Sequence, residues 1–179
     1  FTIMKDILTA LIECHHLKIA HRDIKPSNIF IDSFGHAKIA DFGLSTILPP
    51  SQNTCNIACG SPAYAAPEIY GEKGFDPFKA DVFSLGVTLY QMVFNRLPWP
   101  DEVTINSMTR PPLEYPPNCD PYHVELLSKM LSINPADRPS MIEVMHCDFF
   151  HHIEEMNSRD RDDPFDPKKT ENSIRASIS

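Results

Sequence analysis

The stretch Asp76–Phe94 constrains the fold more than any other. Ala80, Val82, Phe83, Leu85, Val87, Leu89, Tyr90, Val93 and Phe94 put apolar side chains on nearly every face of one helix, the pattern of a helix enclosed at the centre of a domain. Asp81, Ser84 and Gln91 interrupt it, so it is not read as a membrane span. A chain of 179 residues with 42% hydrophobic content can bury one good core around such a helix. Phe1, Ile3, Met4, Ile7, Leu8, Leu11 and Ile12 recur at helical spacing and predict a leading helix. Val124, Leu126, Leu127, Met130 and Leu131 predict an amphipathic helix over Tyr122–Leu131. Ser140 is placed to cap another that runs through Val144 to Phe150. Between these, Pro98, Pro100, Pro111, Pro112, Pro116, Pro117 and Pro121 remove backbone donors repeatedly. An irregular connection with at most one short helix is expected there.

The polar chemistry is concentrated after the first helix, in His21-Arg22-Asp23-Ile24-Lys25-Pro26-Ser27-Asn28 and Asp41-Phe42-Gly43. Ile29-Phe30-Ile31 and Ala37-Lys38-Ile39-Ala40 read as two short strands around the turn Asp32-Ser33-Phe34-Gly35. Antiparallel pairing returns the chain to its starting end, so Asn28 and Asp41 become neighbours. An amide oxygen beside a carboxylate is a pair of hard oxygen ligands, suited to Mg²⁺ shared with substrate phosphates. Asp23 lies close enough in sequence to Asn28 to face the same spot.

Taken together, these motifs resemble the catalytic loop and metal-binding triplet of eukaryotic protein kinases, and Lys25 two places after Asp23 is similar to the serine/threonine branch. The resemblance covers roughly residues 1–152 and implies a mainly α fold, a protein-kinase-like large lobe with a small β-hairpin at the catalytic site. It implies that Asp23 accepts the proton of the attacking hydroxyl and that Lys25 places positive charge near the transferring phosphoryl group. Asn28 and Asp41 would hold Mg²⁺, and Lys25, Asn28, Phe30 and Asp41 would meet ATP, with Phe30 and Ile29 forming part of an adenine floor. His21 and Phe42 are expected to pack within the family's buried spine. The counterpart of Asp81 accepts backbone hydrogen bonds from the catalytic loop, and the counterparts of Glu68, in Ala66-Pro67-Glu68, and Arg138 form an ion pair. Gly60-Ser61-Pro62-Ala63-Tyr64-Ala65-Ala66-Pro67-Glu68 is closest in wording to the calmodulin-dependent and AMP-activated kinase branches, and Ser61 would hydrogen-bond Asp23 and Lys25. Where the family commonly carries a phosphothreonine, this chain has Ile57, so Thr54 is a candidate substitute.

The family's glycine-rich strand pair, strand lysine and helix glutamate find no counterpart here. The resemblance therefore implies that the N-terminal lobe is absent, and that the chain is a partial domain of low activity alone which needs the missing N-terminal lobe as a partner. A polar tail over 153–179 is expected to be flexible. Net charge −8 argues against nucleic-acid and anionic-membrane partners. Five cysteines without C-x-x-C spacing fit reduced thiols, and with no cationic, apolar leader before the first helix they point to a cytoplasmic protein. The cluster His146, Cys147, Asp148, His151 and His152 lacks the paired spacing of a structural zinc site. The expected function is a serine/threonine protein kinase using ATP and Mg²⁺ on a protein substrate. The alternatives are a truncated or pseudokinase-like partner-binding module without catalysis, and a small-molecule kinase, against which the segment Thr54–Glu68 speaks.

Overall fold

The computed structural model describes residues 2–100 and 110–161, with side chains described through residue 156. Part of the proline-dense connection, 101–109, and part of the expected polar tail, 162–179, lie outside the described residues. The chain divides into two compact units, Phe1–Met145 and His146–Ser179. Among the described residues are five α-helices, several 3₁₀ turns and two antiparallel two-stranded sheets.

In the first unit, α1 (Thr2–His16) buries Met4, Ile7, Leu8 and Leu11 along one stripe, the residues that give it its helical period. The central helix, α2 (Pro77–Phe94), starts where Asp76 accepts hydrogen bonds from the Phe78 and Lys79 amides at 2.8 and 3.2 Å. Pro77 at its first position lacks an amide that would have no helical partner anyway. It ends at Asn95, whose left-handed φ of 53° and amide bond to the Gln91 carbonyl stop the helix. Twelve of its residues are buried, from Pro77 to Tyr90, as its all-round apolar pattern predicts. α3 (Pro121–Met130) packs on α2, and α4 (Met141–Met145) packs on α1. A β-carbon on Gly86 would stand 3.0 Å from Met130 and Leu131 atoms, so α2 approaches α3 at glycine contact.

Two strand pairs set the polar loops in place. β1 (Ile19–Ala20) pairs with β4 (Thr46–Ile47), and β2 (Ile29–Ile31) pairs with β3 (Ala37–Ile39) in the register Ile29↔Ile39. The β2–β3 turn closes as the Asp32 side chain accepts the Phe34 and His36 amides, with Gly35 at φ 83°.

The helix expected to run unbroken from Ser140 to Phe150 is two helices. Ser140 does cap α4, exchanging side chain and backbone bonds with Glu143 in a capping box, but α4 stops at Met145. A new helix, α5 (Asp148–Arg161), starts within the second unit, with Phe149 and Phe150 edge-on at 5.3 Å. Its first amides turn back on the Cys147 carbonyl and Asp148 gives it an acidic first turn, start signals that periodicity alone passes over.

Candidate active site

The loop between β1 and β2 is held from below by Asp81, a fully buried acid on α2. Its two carboxylate oxygens accept the His21 and Arg22 amides, both at 2.8 Å, and His15 Nε2 from α1 stands 2.9 Å from Oδ2. A buried carboxylate is tolerable because the oxygens are satisfied this fully. The two amide bonds hold Arg22 at φ 70°, a left-handed conformation that costs a non-glycine residue of order 1–3 kcal/mol. That turn is what aims the next side chain, Asp23.

Asp23 is buried and sits at a convergence. Its Oδ1 accepts the Ser61 amide at 2.9 Å, while Oδ2 accepts Lys25 Nζ at 2.7 Å and Asn28 Nδ2 at 3.2 Å. Lys25 Nζ also donates to Ser61 Oγ at 2.7 Å. Asn28 Nδ2 donates again to the Asp23 backbone carbonyl at 2.9 Å, so both amide hydrogens are used and Oδ1 is the group left for a ligand. Burial pushes the Asp23 carboxyl up, yet the Lys25 and Ser61 hydrogen bonds and the Lys25 charge together outweigh it and hold it below the usual carboxylate range. Gly60 makes the approach of Ser61 feasible: at φ 102°, a β-carbon there would lie 2.4 Å from the Arg22 carbonyl.

The hairpin ladder extends by one bond, from the Ala40 amide to the Asn28 carbonyl at 2.9 Å, which sets the Asp41 backbone beside Asn28. The Asp41 side chain is exposed, with the residue in the left-handed region at φ 62° and its Oδ1 accepting the Gly43 amide at 3.3 Å. The structure thus brings Asp23, Lys25 and Asn28 into one hydrogen-bonded group. Asp41 is on the adjoining turn, with its carboxylate open to solvent. Phe30 is on β2 opposite Lys38 and 59% exposed. His21 is buried, with Nε2 donating to the Ala40 carbonyl at 3.0 Å and its ring edge-on to Phe42 at 4.8 Å. The Phe42 ring is 43% exposed rather than enclosed. As for metal chemistry, the Asp41 carboxylate and the Asn28 amide oxygen on the adjoining turn are both hard oxygen donors, the donor type that a divalent ion carrying water and phosphate oxygens takes.

With this geometry established, similarity to known proteins is decisive. The protein kinase domain family matches residues 2–150. This chain belongs to the protein kinase family. Carbon catabolite-derepressing protein kinase from Saccharomyces cerevisiae is 40% identical over 149 residues, covering 82% of this chain and 23% of the relative. CBL-interacting serine/threonine-protein kinase 5 from Arabidopsis thaliana is 38% identical over 148 residues, covering 79% and 33%. Sperm motility kinase 2B from Mus musculus is 37% identical over 147 residues, covering 80% and 30%. The chain therefore spans about a quarter to a third of the length of these relatives.

Within this kinase domain, the landmarks expected after the catalytic loop are in contact. Arg138, with its side chain fully buried, forms a two-point pair with Glu68 at 2.5 and 2.8 Å. The segment between Asp41 and Glu68 is tied down at Cys55, whose backbone pairs with Phe75. Arg22 Nη2 donates to the Ile57 carbonyl at 2.8 Å and contacts Cys59 Sγ. Arg22 is thus engaged at the position where Ile57 replaces the phosphothreonine, and among the described residues no bond joins it to Thr54, which is exposed. Three contributors escaped sequence reasoning: His15 behind Asp81, the Tyr64–Gln91 hydrogen bond at 2.6 Å, and Arg110, which donates to the Ala65 carbonyl at 2.9 Å. His15 follows an amphipathic pattern that assigns it no partner, and Arg110 lies in a proline-dense stretch without any period.

Proposed function

We propose that this domain transfers the γ-phosphoryl group of Mg-ATP to serine and threonine hydroxyls of polypeptide substrates. The observation that carries the reading is the convergence of Asp23, Lys25, Asn28 and Ser61 within hydrogen-bond distance of one another. Asp23 orients the substrate hydroxyl. Because its carboxyl is held below the usual range, it is a weak base that takes the proton late, as fits a loose transition state in which the attacking oxygen becomes acidic only as its bond to phosphorus forms. Lys25 spends two of its three donors on Asp23 and Ser61, which leaves the third to meet a transferring phosphoryl oxygen. Asn28 Oδ1 and the Asp41 carboxylate would hold Mg²⁺. Bound there, it supplies neutralisation of the phosphate charge.

The adenine lies over Phe30 and Ile29 in this reading, which gives the exposed Phe30 ring a purpose. The sequence contains no glycine-rich phosphate-covering loop of the G-x-G-x-x-G kind. A second lobe, closing over the nucleotide, supplies it, and the present residues act as the large lobe. We place the protein in the cytoplasm; among the described residues no helix is long and apolar enough to cross a membrane. The catalytic unit would lie within residues 1–152; the expected tail from 153 is helical as far as Arg161, as the continuation of α5.

The test is phosphoryl transfer from radiolabelled ATP to a library of serine- and threonine-containing peptides, by the full protein that carries this domain. Label appearing on hydroxyl side chains, and vanishing in Asp23→Asn, supports the proposal. A wild-type protein that binds partners but leaves every peptide unlabelled would instead establish the binding-module alternative.

A further inference from the structure

We infer that Arg110 is a positioning residue for the segment Gly60–Glu68, where a polypeptide substrate would dock under the proposed function, fixing the Ala65 carbonyl and with it the surface a substrate backbone meets beside Asp23. This rests on the function proposed above. The guanidinium lies 4.8 Å from the Phe83 ring centre and 4.6 Å from that of Trp99, and its Nη2 donates to the Ala65 carbonyl at 2.9 Å. The following residue is pinned as well, because Trp99 Nε1 donates to the Pro111 carbonyl at 2.9 Å. Cation and platform therefore hold each other in register.

The rest of the docking segment is anchored by α2 and the catalytic loop. Ser61 is bound to Asp23, the Tyr64 carbonyl accepts Ser84 Oγ at 2.9 Å, and the Tyr64 hydroxyl meets Gln91. Ala65 is the far end of this span, and Arg110 supplies the bond there.

The electrostatics separate this role from simple packing. Arg110 Nε and Nη1 are buried without a hydrogen-bond partner. The nearby carboxylate, Glu68, is engaged at both oxygens by Arg138, which covers the same Phe83 ring at 4.8 Å. Burial, then repulsion from Arg138, lowers the Arg110 pKa to about 10, so the charge persists at neutral pH. A half-buried cation with two unpartnered N–H groups, whose nearby carboxylate Glu68 is already engaged by Arg138, opposes folding. What it provides in return is the Ala65 bond, and a residue that costs stability while gripping the substrate surface acts in function.

The experiment compares wild type, Arg110→Met and Arg110→Lys in the full protein. Met keeps the stacked stem and removes the unpaired charge; Lys keeps a cationic donor. For Met we expect a Tm equal to or above wild type, amide exchange at Tyr64, Ala65 and Ala66 faster by about tenfold, the scale of one charged hydrogen bond, and a raised peptide KM at unchanged ATP KM. Lys should recover part of both losses. A lowered Tm with exchange accelerated throughout the domain would make Arg110 a structural residue and overturn the inference, as would unchanged local exchange and unchanged peptide KM. If wild type transfers no phosphoryl group, the functional reading fails, while the exchange comparison still decides whether Arg110 holds the segment.

Discussion

Arg138 offers the sharpest energetic test of how the docking segment is fastened to the domain. Its side chain is wholly buried and meets Glu68 at two points, and it also donates to the Ser132, Lys79 and Ile133 carbonyls at 2.8, 3.1 and 3.3 Å. Arg138→Met keeps most of the volume against Phe83 but strands the Glu68 carboxylate and removes a donor from all three carbonyls. Breaking one partner of a buried pair costs about 3–5 kcal/mol, far more than an exposed pair at about 0–1 kcal/mol, because an uncompensated charge stays inside. For a domain of this size each kcal/mol moves Tm by about 2–4 °C, so a fall of about 6–20 °C is expected. Thermal unfolding followed by circular dichroism reads it directly. A cycle with Glu68→Gln separates the pair from the carbonyl bonds: the double variant should be less destabilised than the sum of the singles, by about 1–3 kcal/mol. A melt for Arg138→Met that overlays wild type, or strict additivity in the cycle, would refute the reasoning.

Other expectations follow from the same contacts. Asp81→Asn puts an amide donor where two backbone N–H groups and His15 converge, and each orphaned buried donor costs about 1–3 kcal/mol; urea unfolding should register the loss, and phosphoryl transfer should fall as Arg22 relaxes from its left-handed φ. A transfer rate equal to wild type would show that Asp81 does not shape the loop. Asp23 has a folded pKa below its unfolded value, so its contribution to stability is present above the ordinary carboxylate range and is lost as pH falls through the depressed pKa. The stability gap between wild type and Asp23→Asn should therefore close as the medium is acidified from neutrality; a gap independent of pH would contradict the Lys25–Asp23–Ser61 arrangement.

Much of this architecture is legible from residue order because the relevant forces are local. The β2–β3 hairpin needs only two short apolar runs and a turn whose Asp32 side chain caps its own backbone, and α2 announces itself by a proline after a capping Asp and by apolar residues on all faces. The Glu68–Arg138 pair was accessible through resemblance, since nothing in spacing links positions so far apart. Harder to read are features decided by tertiary contact. The break at Met145 turns on which carbonyl the Cys147 region offers to the next amides, and hydrophobic period is continuous across it. Phe42 is expected in the buried spine, yet it keeps much of its surface exposed. Arg110 and His15 draw their roles from partners on other elements, Ala65 and Asp81, and an isolated cation or imidazole carries no mark of where it will be anchored.

The account depends on Asn28 and Asp41 jointly receiving a divalent ion with the nucleotide. Mn²⁺ tests this directly as a paramagnetic substitute, titrated into isotopically labelled protein with ATP while amide resonances are followed. Preferential broadening at Asn28, Asp41 and Gly43, abolished by Asp41→Asn and competed by Mg²⁺, is the predicted result. Broadening that bypasses these residues, or that persists unchanged in the Asp41→Asn variant, would contradict it.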